Sequence, residues 1–188
     1  NEPGEFTLMD VYAGLEPAVP RGAVKYLRVV EEVRHRLLPL ENGEYRKDHE
    51  AFFNFYASPV DKVSGPSGWP AYVAKTSLGI VPIDEDGSAR FTVPAGRVFY
   101  FQVLDKDFNE LQRMRSVVHL QPGEKRSCIG CHESRQMAPP GSGRPKAHTA
   151  CDIEPPSWGA VPFSFEKVVQ PVLDAHCVKC HDAGHPDK

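Results

Sequence analysis

Two copies of one five-residue motif constrain this chain of 188 residues more than any other feature. Residues 128–132 read CIGCH and residues 177–181 read CVKCH. In a C-x-x-C-H motif the two thiols are spaced to bond the two vinyl groups of one porphyrin, and the histidine that follows is placed to bind the iron. The sequence therefore predicts two covalently bound haem c groups. The predicted attachment residues are Cys128, Cys131, Cys177 and Cys180, and the predicted proximal iron ligands are His132 and His181.

Other uses of paired cysteines fit this sequence less well. A zinc site would take its ligands from both Cys-x-x-Cys pairs, but the pairs lie farther apart than the roughly 15–20 residues typical of zinc ribbons. A thioredoxin-like dithiol needs an alternating βαβ pattern, and this pattern is not visible here. Structural disulfides are a further alternative. Haem attachment is favoured because it also accounts for the histidine at the end of each motif.

Each iron has a second axial position, for which the sequence offers several side chains. His148 lies on a proline-rich connector between the motifs and can reach either iron. His119 lies in a β pattern close to the first motif, and His176 directly precedes the second motif, where it can serve the neighbouring haem. These three are the candidate distal ligands. The other side chains that the sequence offers for this position are His35, His49, His185, Met9, Met114 and Met137.

Charge and hydropathy narrow the class of partner. The formal net charge of −3 provides no basic field for nucleic acid. No run of about 18 apolar residues is present, so no transmembrane segment is expected. Covalent haem attachment takes place on the outer side of the energised membrane, so a periplasmic, lumenal or extracellular location is expected. Cys151 is left over from the motifs and is interpreted as a buried thiol, with intermolecular pairing or contact with a haem edge as alternatives.

The pattern along the chain predicts a mainly β fold with short helices. Residues 1–126 are expected to form an antiparallel β-sandwich-like domain, because short strands alternate with turn signals every eight to twelve residues. Residues 127–188 are expected to be a loop-rich, partly helical segment that carries both motifs, with a proline-rich connector over 133–162. The predicted helices cover residues 6–12, part of 48–56, and 163–176, with Ser164 as N-cap and Pro171 as an irregularity. The predicted strands cover residues 23–33, 71–83, 90–93, 97–104 and 111–120, with tight turns at 84–88, 94–96 and 105–109.

Several strings resemble a known family. VYAGLEPAVPRGAVKYLRVVE and the run from GIVPIDEDGSARFTVPAGRVFYF to SCIGCHE resemble the middle domain of the hydrazine synthase alpha subunit. SFEKVVQPVLDAHCVKCHD resembles the start of the cytochrome c-like domain that follows it. The resemblance implies a β-rich domain with a reaction-centre haem at the first motif and an electron-relay haem at the second. It also implies a tyrosine shortly after the first motif, where residues 133–137 read ESRQM.

Three functions follow from these residues. The favoured one is a dihaem c-type cytochrome that carries electrons between redox partner proteins. The second is a haem enzyme, or a part of one, that acts on small nitrogen compounds at the first haem. The third is an assembly role, in which copies of the chain form a homo-oligomer or polymer with shared haem ligation. Only seven residues follow His181, so the second iron is expected to take its sixth ligand from upstream, from another subunit or from residues absent here, or to stay five-coordinate.

Overall fold

A computed structural model describes residues 2–32, 37–47, 75–132, 136, 147–161 and 165–181. These residues form two main β-sheets, a separate two-stranded hairpin and one short helix. The strands are β1 (Gly4–Leu8), β2 (Tyr26–Glu32), β3 (Leu37–Pro39), β4 (Tyr45–Lys47), β5 (Lys75–Pro82), β6 (Ala89–Val93), β7 (Val98–Leu104), β8 (Glu110–Arg113) and β9 (Lys125–Cys128). A π-helical turn, Phe165–Val169, leads into helix α1, Gln170–His176. Among the residues so described, no helix has the length and apolar character that spanning a membrane requires.

The two sheets differ in their strand direction. The second sheet has the order β5-β2-β7-β8 and every pair in it is antiparallel. The first sheet has the order β6-β1-β9, in which β1 runs antiparallel to β6 but parallel to β9. The prediction of a purely antiparallel sandwich is therefore wrong at this pair. Parallel neighbours need a long crossover rather than a hairpin, and here the chain visits the second sheet between β1 and β9.

Aromatic side chains join the two sheets into one core. Phe6 in β1 and Phe91 in β6 are each 1% exposed. Both rings meet the ring of Phe101 from β7 edge-to-face, with centroids 5.3 Å and 5.7 Å away respectively. Offset and edge-to-face ring pairs stabilise a core beyond the area that they bury. The mainly β, two-layer character predicted from the sequence is confirmed by this packing.

The N-terminal segment differs from its prediction. Residues 6–12 were expected to be helical, but Gly4–Leu8 form strand β1, in which Phe6 and Leu8 face the core at every second position. This alternation has the strand period of two, and pairing with β6 and β9 on both sides satisfies the backbone. The chain then turns around Tyr12, whose hydroxyl accepts hydrogen bonds from the backbone N–H groups of Gly22 (2.7 Å) and Val24 (3.1 Å).

The predicted turn at residues 84–88 forms, but it is not a hairpin within one sheet. Gly87 has a φ of 87°, as the left-handed turn position requires, and its N–H donates to the Asp84 carbonyl. The turn carries the chain from β5 in the second sheet to β6 in the first. The predicted strand over 111–120 is also shorter than expected. Strand β8 ends at Arg113, and beyond it the pairing with β7 consists of one hydrogen bond from the Met114 N–H to the Phe101 carbonyl and an isolated bridge between Phe99 and Val118.

The described part of the connector, residues 147–161, lies along the edges of both sheets. The backbone N–H of Cys151 donates to Arg90, and the Cys151 carbonyl accepts from Thr92, at the edge of the first sheet. Ile80 and Glu154 exchange both backbone hydrogen bonds at the edge of the second sheet. Exposed sheet edges are covered in this way without a regular strand, which suits a proline-rich segment.

Two other predicted elements meet the structure only in part. Residues 37–47 form the β3–β4 hairpin. The helix predicted around 48–56 lies outside the described residues. The helix predicted over 163–176 is helical from Phe165, while Ser164 lies outside the described residues. Pro171 lies in the first turn of α1, where its missing N–H is tolerated, and the turn before it widens into a π-helix.

Candidate functional site

A cavity of about 780 Å³ lies between the two sheets and beside the first motif. This volume is within the roughly 300–1,000 Å³ of ordinary ligand pockets. Most of its wall is apolar and comes from both sheets, namely Phe6, Leu8 and Phe91 from the first sheet and Leu27, Phe101 and Val103 from the second. The first motif supplies another part of the wall through Cys128, Gly130, Cys131 and His132. The remainder is the run of residues 112–116, which comprises the last two residues of β8 and the three that follow it, at the edge of the second sheet.

Strand β9 positions the first motif at the cavity. Its last residue, Cys128, is the parallel partner of Leu8 in β1. Backbone pairing continues beyond the strand, since the N–H of Met9 donates to the Cys128 carbonyl (2.8 Å) and the N–H of Asp10 donates to the Ile129 carbonyl (3.0 Å). The motif is therefore an extension of the sheet. Side chains held by a regular element are placed more accurately than those on a free loop.

Two glycines let the chain pass close to the motif. Gly14 has a φ of 81°, and a Cβ built on it would lie 1.9 Å from the carbonyl oxygen of His132. A Cβ on Gly130 would lie 2.3 Å from the carbonyl oxygen of Ala13. Neither position has room for a side chain, because the obstructing atoms belong to the backbone. The loop after β1 thus packs directly on the backbone of residues 130–132, and a pattern search for C-x-x-C-H does not reveal Gly14 as part of the site.

The cavity-lining segment of residues 112–115 alternates in exposure. Gln112 and Met114 are partly buried, whereas Arg113 and Arg115 are exposed. The backbone N–H of Met114 donates to the Phe101 carbonyl at 2.8 Å, which extends the β7–β8 pairing by one residue. Gln112 and Met114 are thus less exposed than the two arginines, although all four residues line the cavity.

The second motif has different surroundings. It follows α1, in which no residue is buried. The backbone N–H groups of Cys180 and His181 both donate to the Cys177 carbonyl at 3.0 Å, so the motif forms one helical turn. Residues three apart on such a turn lie on the same face, which brings the Cys177 and Cys180 thiols to one side. Cys177 is partly buried, while Cys180 and His181 are exposed.

None of the three candidate distal histidines lines the cavity. His119 is exposed, and His176 is the exposed last residue of α1. His148 is exposed as well, and its carbonyl accepts a hydrogen bond from Nη1 of Arg90 at 2.5 Å. Their ligation of iron stays a prediction. Four further candidates from the sequence, His35, His49, His185 and Met137, lie outside the described residues.

Among the described residues, no three His, Cys, Asp or Glu side chains converge on a point where they could hold a metal ion. The zinc alternative requires such a convergence of the two Cys-x-x-Cys pairs. Two cysteines and one histidine of the first motif do share the cavity wall. This arrangement suits a ligand that is large, apolar and bonded through sulfur.

Cys151 packs against the core and not on the cavity wall. It is partly buried, and its backbone pairs with Arg90 and Thr92 of β6. Burial raises the pKa of its thiol, and the nearby carboxylates of Asp152 and Asp84 act in the same direction. The thiol is therefore held in its neutral, less nucleophilic form. Cys151 is thus a partly buried thiol away from the cavity wall, and its role stays a prediction.

These features define a class of protein, a two-sheet β domain with a C-x-x-C-H motif at a cavity between its sheets. The family model described as hydrazine synthase alpha subunit middle domain matches residues 22–133, which is more than half of the chain. The chain belongs to this family. The match ends just after the first motif, so the likeness of residues 164–182 to the start of a cytochrome c-like domain stays a prediction.

Comparison with solved structures gives the same fold. A structure described as Kuenenia stuttgartiensis hydrazine synthase superposes with a TM-score of 0.65 at 16% sequence identity. The superposition covers 100% of this chain and 30% of the other, so this chain spans less than a third of that protein's length. At this identity the likeness establishes the fold alone. None of the curated proteins compared with the chain matches it.

Proposed function

We propose that this chain binds two haem c groups and carries electrons between redox partner proteins outside the cytoplasm. The observation that supports this most is the apolar cavity of about 780 Å³ with Cys128, Cys131 and His132 on its wall. Two thiols and an imidazole beside a largely apolar wall, with a polar segment at residues 112–116, fit a covalently attached porphyrin. When bound, each haem supplies the one-electron chemistry of iron, and the protein sets its potential through ligation, burial and hydrogen bonds.

The residues around the first motif have different roles in this proposal. The thiols of Cys128 and Cys131 are the attachment points, and His132 is the proximal ligand. The aromatic wall of Phe6, Phe91 and Phe101 would shield a porphyrin held in the cavity from water. A dry, low-dielectric surrounding disfavours the extra positive charge of the ferric state, so this wall would raise the potential of a bound haem.

The second motif suits exchange with a partner. Cys177 and Cys180 are the attachment points there, and His181 is the proximal ligand. Cys180 and His181 are exposed, and so is Val172 on the preceding helix, with 55% of its surface accessible. A haem at such a position can be approached closely by a redox protein or by another copy of this chain. Weak electron-transfer encounters use small interfaces, so a few exposed residues around a haem are enough for them.

The proposal is tested by intact mass and spectroscopy of the chain matured in a host that attaches haem c. We expect the mass of two haems in the parent chain. Cys128→Ala/Cys131→Ala should keep only the haem at the second motif, and Cys177→Ala/Cys180→Ala should keep only the haem at the first motif. Carrier function predicts reversible one-electron titration of both haems, low-spin spectra and no uptake of carbon monoxide. A colourless chain, or zinc bound by the paired sulfurs, would contradict the proposal.

The second candidate function is a haem enzyme, or a part of one, related to the hydrazine synthase alpha subunit. Membership of that family favours it, as does a cavity in which apolar and polar walls meet at one motif. A five-coordinate first haem that binds nitric oxide or carbon monoxide, together with turnover of a small nitrogen compound, would support this candidate over the carrier. Residues 133–137, which the resemblance implies to hold a tyrosine, have none, and this favours the carrier.

A further inference from the structure

The cavity offers one soft donor atom that is not part of the first motif. Among the described residues that line the cavity, Met114 is the one methionine and His132 the one histidine. The other polar groups outside the motif are the Gln112 amide, the Ser116 hydroxyl and the guanidinium groups of Arg113 and Arg115. Of these groups, the thioether is the one that haem iron takes as an axial partner to histidine. Guanidinium groups have no lone pair to offer, and amide and hydroxyl oxygens suit hard metals.

Met114 and His132 reach the cavity from different sheets. His132 follows β9, which is the edge strand of the first sheet. Met114 follows β8, which is the edge strand of the second sheet. The cavity is also lined by Leu8 from the first sheet and Val103 from the second, so it lies in the space between the layers. The two side chains therefore approach a ligand in this space from two different layers.

Met114 is partly buried on the cavity wall, and its backbone is fixed to β7. Its N–H donates to the Phe101 carbonyl at 2.8 Å. In the run from Gln112 to Arg115 the partly buried positions are Gln112 and Met114, and the two arginines are more exposed, although all four residues line the cavity. An unbranched thioether on this wall has the three rotatable bonds that let sulfur adjust to a ligand.

We propose that Met114 is the sixth, axial ligand of the first haem, opposite His132. This inference rests on haem attachment at the first motif, as proposed above. Methionine–histidine ligation raises the reduction potential and leaves no open position for small ligands. It makes the first haem a six-coordinate carrier centre, and it does not require any of the candidate distal histidines.

The test uses the full chain, matured with haem, in the Cys177→Ala/Cys180→Ala background so that only the first haem contributes to the spectrum. Met114→Leu is compared with Met9→Leu and Met137→Leu, which complete the set of three methionines in the chain. Met9 is the matched control, because it neighbours the motif and its side chain does not line the cavity. Leucine is close to methionine in volume and apolar, so the substitution tests ligation more than packing.

In the parent protein we expect the weak far-red absorption that a thioether bonded to ferric haem produces. Met114→Leu should lose this band, take up one carbon monoxide per ferrous haem and have a lower midpoint potential. Met9→Leu and Met137→Leu should keep the band and refuse carbon monoxide. Met114→His should restore a low-spin, six-coordinate spectrum without the far-red band, which a purely structural role for Met114 would not produce.

The inference is overturned if Met114→Leu keeps the parent spectrum, if the band is lost in Met137→Leu instead, or if the parent haem is already five-coordinate. In each case the mass still reports one haem at the first motif, so the proposed haem attachment survives. A parent chain without haem defeats the proposed function, and the inference with it. Mass therefore separates failure of haem attachment from failure of Met114 ligation, and a five-coordinate parent haem counts in addition against the carrier and for the haem enzyme.

Discussion

The same five-residue motif occurs in two regions that are built differently. The first motif extends strand β9, pairs through its backbone with residues 8–10 and borders a cavity between two sheets. The second follows a seven-residue helix with no buried residue. Phe165 is 58% exposed, and Val172 on α1 is 55% exposed.

The difference teaches that the motif specifies attachment, whereas the surroundings specify the properties of what is attached. In the first region, aromatic rings, close backbone contacts and an edge segment with a methionine are all set by the β fold. In the second region, little of the protein surrounds the motif in the part of the chain that the structure describes. Cys128 and Cys131 are partly buried and His132 is exposed. We therefore expect a site fixed by close backbone contacts at the first motif and a more accessible site at the second.

The largest expected effect sharpens this contrast between buried and exposed apolar residues. Phe91→Ala should lower the free energy of unfolding by about 3–5 kcal/mol, because it leaves a void in a well-packed core. Val172→Ala, on the exposed side of α1, should cost less than about 0.5 kcal/mol. Urea unfolding of the two matured variants measures both values. A cost at Val172 close to that at Phe91 would mean that the second region is covered as well, and the contrast would fail.

The next effect concerns the close packing around the first motif. Gly14→Ala places a methyl group against the His132 carbonyl at a positive φ and should destabilise by about 2–4 kcal/mol. Gly22→Ala is the matched control, since its φ is 86° but nothing lies within 4 Å, and it should cost about 1–2 kcal/mol. Urea unfolding and haem content by mass are the measurements. We also expect Gly14→Ala to reduce haem at the first motif while the second motif keeps its haem. Equal losses of stability in the two variants would contradict the close-packing argument.

A smaller effect is expected where the connector between the two regions is fastened to the first sheet. Arg90 donates to the Glu5 carboxylate from Nε (2.9 Å) and Nη2 (2.7 Å), and to the His148 carbonyl from Nη1. Arg90→Met should cost about 1–2 kcal/mol, because it removes charge-assisted hydrogen bonds at a partly buried carboxylate. It should also speed amide hydrogen exchange at Cys151.

Lys106→Met is the matched control for Arg90→Met. The Lys106–Asp107 ion pair is fully on the surface, with side-chain exposures of 76% and 63%, so its loss should cost less than about 0.5 kcal/mol. Exchange at Cys151 should not change in this variant. If Arg90→Met left exchange at Cys151 unchanged too, the connector would be held by its own backbone pairing alone.

The smallest effect is a pH dependence from Cys151. Its pKa is raised in the folded chain by burial, so folding favours the neutral thiol. The associated stability is fully present below the unfolded pKa of about 8.5 and is lost as the pH rises from there towards the folded value. Urea unfolding at about pH 7 and about pH 9.5 should therefore show a steeper decline for the parent than for Cys151→Ser. Parallel declines in the two proteins would show that this thiol does not contribute.

Some predictions failed for identifiable reasons. The stretch Phe6 to Tyr12 suggested a helix, yet Phe6 and Leu8 alternate into the core, because strands on both sides offer hydrogen bonds that a short isolated helix cannot match. The turn containing Gly87 was predicted correctly, but not that it joins two sheets. Local turn chemistry fixes the backbone of the turn, while the choice of partner strand is a non-local matter.

The sequence by itself determined the attachment chemistry that we propose and the mainly β character of the chain. Both depend on patterns that are local in the chain, two thiols three positions apart or side chains alternating every second residue. Only the tertiary structure decided that β1 pairs in parallel with β9, that Gly14 packs on His132, and that Met114 shares a cavity with the first motif. These contacts join residues between 14 and 120 positions apart, and such pairs are selected by the packing of whole sheets and not by local preference.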